Sequence, residues 1–197
     1  MQTQAIISRV QDLCLRPRET WEEIEKQPVN IRDTYVNYVM PLAALPAVAH
    51  FLGMALIGIG ADGERVRIGF IPGLFQAIIS FGLSLGMVYA LAYITSWLAP
   101  QFGATRNFNQ AFKLAAFAPS ASWVVGVLYL IPALSFFGLL GGLYSLYLLF
   151  VGLPILMKPQ ADKATTYTLA VIGTAIVLAL IIAVGLSVFF PIAIPRP

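Results

Sequence analysis

An all-α, polytopic membrane protein is the fold class this sequence predicts: a bundle of five transmembrane helices with a short amphipathic N-terminal helical arm. Three observations carry it. Of 197 residues, 59% are hydrophobic and only 11% charged, with a mean hydropathy of +0.82, whereas soluble domains carry about 25% charged residues. The runs 34–61, 68–105, 114–157 and 164–195 hold no charge at all, and a spanning helix needs about 20 mainly apolar residues. The first 34 residues form the one substantial polar stretch, which divides the chain into an arm over 1–34, a five-span domain over 35–190 and a short tail over 191–197.

The arm lacks the basic start, apolar centre and cleavage site of a signal peptide and is expected to stay on the protein. Ile6, Val10, Leu13 and Cys14 recur at helical spacing between polar residues, which predicts a short amphipathic helix. Pro17 suits the first turn of a second helix, where Trp21 and Ile24 share a face beside Glu19, Glu22, Glu23 and Glu25; Pro28 ends it. That face is the candidate interface, either closing as a lid on the protein's own loops or docking a partner. Five bases against six acids leave the arm at a net charge of −1, so electrostatic anchoring to anionic lipid is not expected.

The first span is placed at 35–59 and bent by Pro41 and Pro46. The loop ADGERVR follows, then Gly69, Pro72 and Gly73 open a second span at 74–98. The 44-residue run 114–157 is twice the length of one crossing, with Pro132 at the turn. It is therefore read as parts of a third span at 111–131 and a fourth at 133–156. A fifth span at 168–190 precedes the tail PIAIPRP. Placing the amino terminus in the cytoplasm puts nine basic residues inside and three outside, so the carboxyl terminus is expected on the exoplasmic side.

The composition removes several kinds of chemistry. One His and one Cys build neither a metal cage nor a disulfide framework. No phosphate loop, dinucleotide fingerprint or zinc-protease helix occurs, and the bases form no stripe for nucleic acid; no cofactor is expected. GLSLG over 82–86 and AHFLG over 49–53 imitate parts of the rhomboid proteases, with Ser84 as nucleophile and His50 as its base. In that family the serine helix comes first, a glycine follows the serine directly and the core has six spans; here the order is reversed and Leu85 follows. Packing through Gly82 and Gly86 is the expected role of GLSLG. His50, in mid-span, is read as a hydrogen-bonding group with proton or solute handling as the alternative, and a wet cavity reaching it would favour transport. Tyr144 and Tyr147 share one helix face, where phenols bridge helices or line a cleft. At the start of the third span Asn107 or Asn109 caps the helix, while Lys113 is expected to extend toward headgroups.

In sum these signals resemble the Yip family of multi-span membrane proteins, first named for interaction with Rab-type GTPases. The resemblance rests on Pro17, Trp21 and Ile24 in RPRETWEEI, Tyr38 and Pro41 in YVNYVMPLAAL, and Asn107 and Lys113 within 102–132. Gly152 and Pro154 in LYSLYLLFVGLP and Lys163 in MKPQADKATTYTL complete it. It implies five spans with a cytoplasmic amino terminus, and the short arm makes this chain similar to the compact bacterial-type members. A non-enzymatic scaffold in the cytoplasmic (inner) membrane is the expected function. Its expected contacts are the bilayer, a protein partner at the arm and a second copy of the chain. A small transporter for an uncharged or lipid-like solute is the alternative, and an intramembrane serine hydrolase a remote one.

Overall fold

The computed structural model describes residues 2–59 and 67–189. The ADGERVR loop, apart from Arg67, and the tail over 191–197 lie outside the described residues. Two arm helices, α1 (Gln2–Leu15) and α2 (Pro17–Lys26), precede five helices long and apolar enough to cross a membrane: Ile31–Ile57, Phe70–Phe102, Phe108–Leu130, Phe137–Met157 and Ala164–Val188. The five-span bundle expected from hydropathy is the fold.

Most spans begin earlier or later than their apolar runs, for local reasons. The first starts at Ile31 because Asn30 caps it, its side-chain oxygen accepting from the Asp33 N–H at 3.3 Å. It carries π turns at Tyr35–Val39 and Gly53–Ile57, and runs on through Pro46. Pro72 falls in the first turn of the second span, where a missing N–H costs nothing, so that helix already begins at Phe70. A left-handed Gly103, at φ 69°, ends it. The third span starts at Asn107, whose side chain accepts from the Gln110 N–H at 3.2 Å.

The third span is not one continuous α-helix. It breaks at Ala118–Pro119, resumes over Ser120–Val125 and tightens to a 3-10 helix over Gly126–Leu130. Proline cannot donate to the ladder, and the Ser120 and Ser122 hydroxyls cover the carbonyls of Phe117 and Pro119 at 2.5 and 2.8 Å. This broken span is the centre of the bundle: 61% of its most apolar window is buried, against 11% for the fifth span. It packs on the first, second and fourth spans. A side chain at Gly126 would run into Pro46, and one at Gly53 into the carbonyls of Tyr129 and Leu130, so the first and third spans approach almost backbone to backbone.

GLSLG is not where this close packing occurs. Space is open beside both Gly82 and Gly86, and the crowded glycines among the described residues are Gly53, Gly103, Gly126, Gly138, Gly141 and Gly152.

Candidate functional site

The arm folds back and seats on the bundle, so its apolar face points inward. Arg9 holds the two arm helices together, donating to Gln27 Oε1 at 3.2 Å and lying 3.8 Å from the Glu23 carboxylate. Leu13, Trp21 and Ile24 are buried, and α2 lies against the C-terminal half of the fourth span. Trp21 enters a notch made by a missing side chain. A Cβ at Gly152 would stand 2.6 Å from the Trp21 ring and 2.9 Å from Leu114 Cδ1, closer than carbon atoms pack. Among the described residues the Trp21 Nε1–H has no acceptor in this apolar slot.

Polar groups from the bundle then grip the C-terminal end of α2. Lys113 is only 4% exposed, and its Nζ donates to the backbone carbonyls of Glu25 at 3.0 Å and Gln27 at 2.6 Å. Gln110 Nε2 donates to the same Glu25 carbonyl at 3.3 Å. These are the carbonyls a helix end leaves without partners, and a cation suits the negative end of the helix dipole. Lys158, the left-handed C-cap of the fourth span, pairs with Glu25 Oε1 at 2.7 Å. That hydrogen bond and the ammonium charge hold the Glu25 carboxyl below its ordinary pKa. At the other end of α2, Pro17 opens the helix, and the Tyr144 hydroxyl donates to the Cys14 carbonyl at 2.6 Å. Burial pushes the Cys14 thiol up.

This geometry corrects one reading and decides between the two alternatives left open for the arm. Lys113 does not reach toward headgroups: the arm covers it and supplies carbonyls that act as its acceptors. Trp21 and Ile24 are not presented outward, because their face is consumed by the protein's own seat. The sequence singles out Trp21, Lys113 and Gly152 but not their pairing, and nothing in it marks Gln110, Leu114 or Lys158 as parts of the same seat.

The remaining candidates fall elsewhere. The Tyr38 hydroxyl and Ser120 Oγ lie 2.7 Å apart, tying the first span to the break in the third, and the Tyr38 ring packs on Phe117 at 4.6 Å. Pro41 opens the α-helical part of the first span after its π turn. Pro154 sits in the last turn of the fourth span, and Lys163 is exposed just before the fifth, its carbonyl accepting from the Tyr167 N–H at 2.9 Å. Tyr147 is about half exposed and packs on Tyr144 at 5.5 Å.

His50 meets the Tyr129 ring edge-on at 6.5 Å, and no hydrogen bond joins it to Ser84 among the described residues. Ser84 instead lines a cleft of about 530 Å³ between the second, third, fourth and fifth spans. Its walls are apolar except at Ser84, Ser122 and Ser145, and His50 is not among them.

The Yip1 domain profile matches residues 12–184, nearly the whole chain. The inner membrane protein YohC of Escherichia coli K12 is 23% identical over 176 residues, covering 87% of this chain and 90% of its own length; YohC of E. coli O6:H1 matches equally. No solved structure matches significantly.

Proposed function

The chain belongs to the Yip1 domain family, and from that premise we propose that it is a non-enzymatic scaffold of the inner membrane whose docked arm engages a protein partner. One observation carries this reading: Lys113, Gln110, Lys158 and the Gly152 notch are all spent on holding a ten-residue helix in a fixed place. Held so, α2 offers Arg18, Glu19, Glu22, Glu23 and Lys26 as an exposed, net-acidic face. A partner segment carrying basic residues fits that face, while Trp21 and Ile24 set its position. YohC, by its name an inner membrane protein, supports the location. The division of basic residues, nine on the arm's side of the bilayer against three on the other, supports a cytoplasmic amino terminus.

The alternatives lack a supporting observation. Solute handling at His50 wants a wet path to the imidazole, and the cleft has neither His50 in its wall nor many polar groups. Hydrolysis by Ser84 wants a base within hydrogen-bond reach.

A photo-crosslinking side chain in place of Glu22 in native membranes tests the scaffold. A protein adduct that disappears when Gly152→Leu unseats the arm supports it; adducts to lipid alone sink it. A reporter fused after Pro197 tests orientation, and cytoplasmic activity there contradicts the proposed topology.

A further inference from the structure

The cleft among the four spans is well formed but unexplained by the arm. Its walls run from Gly138 to Leu149 on the fourth span, which is about 17 Å of helix axis. The opening runs along the helix axis and is continuous with the bilayer side, so a flexible chain can enter it sideways.

Its chemistry narrows the occupant further. Two of its three serines are engaged: Ser122 Oγ donates to the Pro119 carbonyl at 2.8 Å, and Ser145 Oγ accepts from the Ser122 N–H at 3.1 Å. Water needs two to four polar partners to remain in a cavity, and the walls do not supply them. The mouth faces the lipid side, since Leu139 and Leu143 of the fourth span and Ile176 and Leu180 of the fifth both line the cleft and are exposed. All four lie in charge-free, membrane-spanning segments. An apolar groove left empty forfeits dispersion contacts along its whole wall, and hydrocarbon is what surrounds it.

We propose that this cleft is a binding site for one acyl chain of a bilayer phospholipid, which enters between the fourth and fifth spans and lies against Trp123. The site is separate from the arm's outer face. Its inner wall nevertheless abuts the arm seat, because Ala115 and Leu149 line the cleft while Leu114 and Gly152 hold Trp21.

The full chain reconstituted into phosphatidylcholine vesicles, with a fraction of the lipid bearing a diazirine on its acyl chain, tests this. Photolabelled peptides are expected to include Trp123, Leu146 and Leu149, which belong to the inner wall, as well as outward-facing Leu140. Space is open where a Cβ at Gly142 would stand on the wall, so Gly142→Phe is expected to fill the cleft. Inner-wall labelling should then fall to background while Leu140 labelling persists. Ala179→Phe gives an independent plug from the fifth span, and quenching of Trp123 fluorescence by acyl-brominated lipid should be lost in either variant. Wild-type labelling confined to outward-facing positions overturns the proposal. So does crosslinking of the cleft mouth to a second copy of the chain, which would make it an oligomer contact.

Discussion

At Gly152 one absent methyl group makes room for an indole, and the arm's position follows from it. Gly152→Ala should overpack the notch and cost about 1–3 kcal/mol, read as a lower thermal midpoint and faster tryptic cleavage at Arg18 in proteoliposomes. Trp21→Ala should cost about 3–5 kcal/mol by emptying the slot. Trp21→Phe should cost much less, because it fills most of the slot and removes an N–H that has no acceptor there. Lys113→Met leaves the Glu25 and Gln27 carbonyls without that donor, and a loss of about 1–3 kcal/mol is expected.

Glu25 adds a pH dependence at this same residue scale. Its folded-state pKa is depressed by Lys158, so its contribution is fully present above the unfolded carboxylate value of about 4.3 and is lost as pH falls through the lower folded value. Arm protection against an acid-active protease should therefore weaken below about pH 4, and Lys158→Met should flatten that dependence. The pair is partly solvent-exposed, so added salt should blunt it as well.

Among the elements, the third span holds the others together, and its break is a seam rather than a defect. Tyr38 from the first span meets Ser120 just past Pro119, where serine hydroxyls have taken over from the interrupted ladder. Tyr38→Phe and Ser120→Ala should each destabilise by about 1 kcal/mol, with the double variant little worse than either alone, measured by thermal unfolding in detergent. The elements also mark how far the sequence could be read. The number of spans was legible because lipid permits so few alternatives to a continuous apolar helix. Asn107 was legible as a cap because capping is local. The second span begins at Phe70 and not at the expected 74, because Pro72, part of the expected entry, falls inside the first turn, where a proline is harmless. Lys113 was misjudged because its partners lie 86 and 88 residues upstream, and an end-of-span lysine looks the same in sequence whether lipid or a folded arm covers it.

For the molecule as a whole, the spans are not cut to one length. The second has 33 residues, about 50 Å of helix against a hydrocarbon core of about 30 Å. Tyr89, Tyr93 and Trp97 are exposed near its C-terminal end, the residue types that settle at headgroup depth. The last turns should therefore stand clear of the hydrocarbon on the side where the arm is seated. Trp97 fluorescence should be quenched more by a shallow than by a deep lipid-borne spin label, and the reverse order would place the whole helix lower.

The order in which the seat is made has a consequence for biosynthesis. Lys113 and Lys158 follow Glu25 by 88 and 133 residues, so at about 5–20 residues per second the ribosome takes roughly 7–27 s to deliver the last grip after the arm has been translated. Throughout that interval the nascent arm has Leu13, Trp21 and Ile24 but nowhere of its own to put them. The newborn chain thus depends on an insertase, a chaperone or the headgroup layer to shelter that stripe until the fourth helix arrives.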